Sequence, residues 1–157
     1  MNLTPGQFRQ AMGCFATGVT IVTTQDEQDQ PYGLTVNSFT SVSLNPILVL
    51  VCLDNSLSGL EIFKKSNRFA VNVLAEDQQD LSNHFAQGGT DRSQAPYISG
   101  KTGVPILKGV LATIECTVVK WYWGGDHTIM IGEVQQVDST QHNKKPLLFL
   151  QGRYHNL

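Results

Sequence analysis

The chain has 157 residues, of which 41% are hydrophobic and only 15% charged, with a formal net charge of −2. That length suits one domain spanning 1–157 with a proper core, and the charge balance offers no basic surface for nucleic acid. The longest apolar runs, such as Ile47 to Leu53, are too short to cross a membrane, and the first residues read as a helix rather than a secretory leader.

Thr4-Pro5-Gly6-Gln7 predicts that helix, with an N-cap, a proline at the first position and a capping-box glutamine. Phe8, Ala11, Met12 and Phe15 then recur as one apolar stripe, and Gly18 is the expected stop. Val19 to Thr24 is β-branched throughout and reads as a strand, followed by a polar hairpin loop from Gln25 to Gln30. After a turn at Pro31-Tyr32-Gly33 the chain re-enters a strand at Leu34. Pro46 to Leu53 is almost wholly apolar, which predicts a central strand covered on both faces. Ser58-Gly59-Leu60-Glu61 predicts a capped short helix through Lys65, Arg68 to Leu74 a strand, and Glu76 to Gln87 a helix with Leu81 and Phe85 on one face. From Gly88 to Pro105 the composition predicts a long, partly mobile loop. Val110 to Trp123, Thr128 to Val137 and Pro146 to Leu150 read as strands. In the first of these, Ala112, Ile114, Cys116 and Val118 share a face, and Glu115 opposite them is expected to be solvated or paired. About seven strands with two or three short helices make a mainly β fold, a barrel rather than βαβ units.

The segment after Gly33 carries the most chemistry. Thr35, Asn37, Ser38, Thr40, Ser41 and Ser43 offer many short hydrogen-bonding groups and no charge. A core strand has no use for them, because each buried polar group left without a partner costs roughly 1–3 kcal/mol. They suit a flat ligand, polar at its edges and anionic at one end, and the segment reads as a flavin cradle. Neither Gly-x-Gly-x-x-Gly nor a Walker pattern occurs, so a phosphate would rest on hydroxyls, backbone N–H groups and a helix N-terminus. Ser56 and Ser58 stand at such a place, although Ser58 alone reads as a helix cap.

Gly124-Gly125-Asp126-His127 allows a tight turn, and a histidine at a barrel end can donate to a flavin edge or a nicotinamide. Gly152-Arg153-Tyr154 reads by spacing as a surface turn, or else as a stacking tyrosine beside an arginine that pairs with phosphate. Trp121 and Trp123, which alternate with Tyr122, are expected in packing or dimer contacts, while Phe85, with His84, either borders a ligand or packs locally. Cys14, Cys52 and Cys116 form neither a disulfide framework nor a zinc motif, so no metal is expected and a reducing cytoplasm is the simplest home. No paired carboxylates, Ser/His/Asp set or Cys/His pair is spaced for catalysis, which leaves the chemistry to a cofactor.

Five runs in order resemble the flavin reductase-like family of NAD(P)H:flavin oxidoreductases. They are Phe8-Arg9-x-Ala11-Met12-Gly13-x-Phe15-Ala16-Thr17-Gly18-Val19-Thr20, Thr35 to Leu44, Arg68 to Leu74, Gly125 to Thr128, and Pro146 to Phe149 with Gly152-Arg153-Tyr154. The resemblance implies an FMN-binding split β-barrel homodimer that takes FMN or FAD near the subunit interface, with NADH or NADPH as electron donor. It further implies a partner monooxygenase that receives the reduced flavin. By resemblance, Thr35, Val36, Asn37, Ser38, Phe39, Thr40, Ser41, Ser43 and Leu44 line the flavin ring and its ribityl chain. Cys52, Leu53, Asp54, Ser56 and Ser58 hold its phosphate, although Leu57-Ser58-Gly59 departs from the polar or basic residues usual there. His127, as the catalytic group, and Gly152, Arg153 and Tyr154 lie at the nicotinamide. A non-catalytic FMN carrier of the same split barrel is the alternative.

Overall fold

The computed structural model describes residues 2–88, 92–139 and 143–157. In chain order the elements are α1 (Pro5–Met12), β1 (Thr17–Gly18), β2 (Thr20–Gln25), β3 (Pro31–Val36), β4 (Phe39–Leu44), β5 (Ile47–Asp54), α2 (Leu60–Ser66) and β6 (Arg68–Val73). A 3-10 turn at Glu76–Gln78 leads into α3 (Gln79–Ala86), followed by β7 (Tyr97–Ser99), β8 (Pro105–Leu107), β9 (Ala112–Gly124), β10 (His127–Asp138), β11 (Leu148–Leu150) and β12 (Arg153–His155). The fold is mainly β with short helices, as expected.

Seven strands form one antiparallel sheet in the order β3-β2-β6-β9-β10-β5-β4. Laid flat at about 4.8 Å per strand, β3 and β5 would stand about 24 Å apart. Yet Leu34 and Val36 of β3 share a core cluster with Val49, Val51 and Leu53 of β5. The sheet therefore curls around that core, and Phe63 of α2 is buried within it. No ladder joins the edges β3 and β4, so the curl stays open rather than closing into a barrel by hydrogen bonds. Two small sheets, β1-β11-β12 and β7-β8, flank it, and a second cluster gathers Val19, Ile21, Phe85, Leu107 and Leu147 under α3.

Several local expectations change. Thr4 caps α1 as predicted, accepting from the Gln7 amide while Gln7 accepts from the Thr4 amide. The helix stops at Gly13 instead of Gly18, because Thr17 and Gly18 are drawn out to pair with Phe149 and Leu148. Its apolar stripe is not buried by the chain: Phe8, Met12 and Phe15 are all at least half exposed. Pro31 opens β3 rather than a turn, which an edge strand tolerates at its end. β5 is next to an edge, and only its alternate residues Val49, Val51 and Leu53 are buried, so it is not covered on both faces. Ser58 does not cap α2, whose N-cap is Gly59 with no side-chain bond. The span from 88 to 105 contains β7 and, at its end, the start of β8; residues 89–91 of the expected loop lie outside the described residues.

Two buried polar residues hold the β7-β8 hairpin against the sheet. The Asn72 amide donates to the Ile21 carbonyl and to Thr23 Oγ1, while its oxygen accepts from the Leu107 N–H at 2.8 Å. Glu115 is not solvated but 3% exposed, and its carboxylate accepts from the Lys101 and Thr102 amides and from Thr102 Oγ1. A buried carboxylate is tolerable because three donors face it. Among the described residues, no helix is long and apolar enough to cross a membrane.

Candidate active site

Three clefts meet at Asn37. A cavity of about 190 Å³ is lined by Val19, Thr35, Val36, Asn37, Ala86, Phe149 and Tyr154. A second, of about 420 Å³, is lined by Phe15 to Gly18, Thr20, Asn37, Phe39, Thr40 and Val73. The third, of about 320 Å³, runs between Arg9, Met12, Gly13, Phe15, Asn37 and the Phe149 to Gly152 turn. Asn37 lies in the short connection that carries the chain from β3 across to β4, so the opening between the sheet's two edges is where these clefts converge. From the expected cradle, the structure brings Thr35, Val36, Asn37, Phe39 and Thr40 together with Gly152 and Tyr154.

Other expected residues fall elsewhere. Ser38 bridges β5, donating to the Cys52 carbonyl at 2.8 Å and accepting from the Cys52 amide. Burial raises the Cys52 thiol above its ordinary value. Ser41, Ser43 and Leu44 follow β4 away along the edge, on a strand that rises about 3.3 Å per residue, and line none of the clefts at Asn37. Leu53 and Phe85 are core residues, 0% and 1% exposed, so neither presents its side chain to a ligand. Phe85 instead packs edge-on to Tyr97, and a side chain at Gly33 would collide with its ring, 2.7 Å away. Arg153 is exposed on β12, opposite Leu150.

The expected phosphate cluster lines none of these clefts. The Ser56 amide donates to Asp54 Oδ1 at 2.8 Å. Hydrogen bonds from the Ser56 backbone, then from its side chain, hold the Asp54 carboxyl below the usual carboxylate range. Ser58 lines none of the clefts at Asn37. The cation at the clefts is Arg9, which motif spacing did not single out.

His127 opens β10, opposite Asp54 on one side and Gly124 on the other. Its Nδ1 meets Asp126 Oδ1 at 2.7 Å, with both side chains exposed. A carboxylate there favours the tautomer with its proton on Nδ1. His127 lines none of the clefts around Asn37.

Sequence reasoning also passed over Thr17, Phe149 and Ser82. Thr17 lines the largest of the three clefts, and its Oγ1 is buried with no hydrogen-bond partner. The hint was available: a threonine inside a run of small residues, Ala16-Thr17-Gly18, needs a use for its hydroxyl. Phe149 stands edge-on to Tyr154, with ring centroids 5.4 Å apart. Among the described residues, no group of His, Cys, Asp and Glu is arranged to hold a metal ion.

The model of the flavin reductase like domain matches residues 12–157. The chain belongs to the flavin reductase-like domain family. Within that family, the solved flavin reductase PheA2 is 42% identical, with a TM-score of 0.91 and 99% of each chain covered. The NADH:FAD oxidoreductase SgcE6 of Streptomyces globisporus C-1027, solved with NAD and FAD fragments, is 36% identical, with a TM-score of 0.91 over 100% of this chain and 96% of that one. The reductase component of a flavin-dependent trigonelline monooxygenase from Acinetobacter baylyi is 42% identical over 85% of this chain. The chain spans only 43% of that relative and 45% of a second curated one, but 88% of a third.

The residues at Asn37 fit a flavin of the kind this family is named for. Thr17 Oγ1 lacks a partner, Asn37 and Thr40 add neutral donors and acceptors, and Phe15 and Phe149 supply apolar walls.

Proposed function

We propose that this chain is a single-domain NAD(P)H:flavin oxidoreductase that reduces FMN or FAD and delivers the reduced flavin to a separate monooxygenase. The observation that carries this reading is the convergence of three clefts on Asn37, in a chain of this family, beside a buried hydroxyl with no partner. When bound, the flavin supplies the hydride-accepting chemistry, with NADH or NADPH as donor.

The chain's own residues bind and orient. Asn37, Thr40 and Thr17 hydrogen-bond the polar edge of the ring, and their neutral character leaves room for charge to arrive there. Phe15 and Phe149 exclude water from its faces. Arg9, which lines the third cleft, is a cation for the anionic end in addition to the expected Ser56 and Ser58. His127, whose Nδ1 pairs with Asp126 and which stands outside the three clefts, is assigned to the nicotinamide on the family resemblance alone.

A homodimer and cytoplasmic residence complete the proposal. The exposed stripe Phe8, Met12 and Phe15 and the exposed pair Tyr122 and Trp123, the latter 86% exposed, support burial against a second copy. Three free thiols are in keeping with a reducing compartment.

Anaerobic mixing of flavin-loaded protein with NADH and, separately, NADPH tests the reading: the long-wavelength flavin band should bleach far faster than for free flavin. Bleaching no faster than in free solution would refute the enzyme and leave a carrier. A His127→Ala variant is expected to keep flavin and lose turnover; full turnover would remove His127 from the site.

A further inference from the structure

Ser82 lies in the middle of α3, 0% exposed, and belongs to none of the motifs discussed above. Both of its polar ends are engaged toward the cleft at Asn37. Its hydroxyl and the Tyr154 hydroxyl share a hydrogen bond of 2.8 Å, and its carbonyl accepts from Thr35 Oγ1 at 2.7 Å. Tyr154 comes from β12 and Thr35 from β3, two strands that share no ladder. Both residues line the cleft of about 190 Å³ together with Asn37 and Phe149. Helix, sheet edge and C-terminal strand are thus joined at one buried serine, and Tyr154 is further fixed edge-on against Phe149.

We propose that Ser82 is a positioning residue of this site: by holding Tyr154 and Thr35 in the lining of the cleft, it sets the affinity for the flavin bound there. This rests on the flavin reductase reading above. An unanchored Tyr154 could still fill space, but its ring would sample several rotamers, and ordering it would then cost binding energy. A hydroxyl serving only helix stability would have no reason to reach a tyrosine 72 positions away in the chain.

The test is a fluorescence-quenching titration of the purified full chain with FMN and with FAD, on Ser82→Ala, Tyr154→Phe and the double variant. Loss of one shared bond should raise the flavin Kd about fivefold in either single variant, and the double variant should be no weaker than the weaker single. In steady-state assays Ser82→Ala should raise the flavin KM while retaining kcat. Additive losses in the double variant, or a lowered melting temperature with an unchanged flavin Kd, would overturn the proposal. Tyr154→Phe keeps the ring and its packing, so it still decides the question if Ser82→Ala fails to fold. If the parent protein binds neither flavin, the functional reading fails; if the parent binds and the variants match it, only the role of Ser82 fails.

Discussion

Replacing Glu115 by alanine isolates what a buried carboxylate contributes to this fold. The Lys101 amide, the Thr102 amide and Thr102 Oγ1 donate to it at 3.0, 2.7 and 2.6 Å. Alanine orphans two backbone N–H groups that cannot turn elsewhere, whereas the hydroxyl can rotate. Each stranded donor costs about 1–3 kcal/mol, and water entering the new space recovers part of that, so a net loss of about 3 kcal/mol is expected. For a chain of this size each kcal/mol moves the melting temperature by about 2–4 °C, which places the fall at about 6–12 °C. Glu115→Gln keeps one acceptor oxygen and should recover about half. Neither change should alter flavin affinity at low temperature, because Glu115 lines a cavity with Gly100, Lys101 and Gln136 that shares no residue with the clefts at Asn37. Calorimetric melting and a flavin titration on the same samples check both halves. A Glu115→Ala protein melting within 2 °C of the parent would refute the reasoning, since about 1 kcal/mol or less would then separate three charge-assisted bonds from none.

Thr17→Val should act with opposite signs, stabilising the flavin-free protein by up to about 1 kcal/mol because a buried hydroxyl without a partner is removed, and weakening flavin binding; urea unfolding beside a flavin titration reads both. Alkaline pH should destabilise the fold. Burial, then the Glu115 charge, pushes the Cys116 thiol from 9.0 to about 12, and burial, partly offset by Arg92, pushes the Tyr97 phenol from 10.0 to about 12. The unfolded chain sheds these protons first, so stability is full below about pH 9 and is lost as pH rises from there toward 12. Melting temperatures across that range should fall, with a shallower slope in Cys116→Ala. Gly132→Ala would place a Cβ 2.4 Å from Phe69 Cζ and 2.9 Å from Cys116 Cβ, both residues being buried. It should cost about 1–3 kcal/mol, and Phe69→Leu should relieve part of that in a double-mutant cycle read by urea unfolding.

The capping box at Thr4 and the β-branched run before Gln25 were legible because they are local: hydrogen-bond chemistry and χ1 restriction act within a few residues. The hydroxyl-rich segment was legible for a similar reason, and Asn37, Thr35 and Thr40 do meet at the clefts. Ser56 was harder to read, because a serine near a helix start looks the same in the sequence whether it awaits a phosphate or serves Asp54. Alternation along β4 likewise does not tell how far Ser43 and Leu44 run from the clefts at Asn37.

The sequence by itself determined a mainly β chain with an uncharged, hydroxyl-bearing crossing at Asn37, since period, turn chemistry and composition are properties of neighbours in the chain. Only the tertiary structure decided that Glu115 is buried and Ser82 anchors Tyr154. Ser82 and Tyr154 stand 72 positions apart, and Glu115 meets the turn of the β7-β8 hairpin 13 or 14 positions before it; no local pattern encodes either meeting.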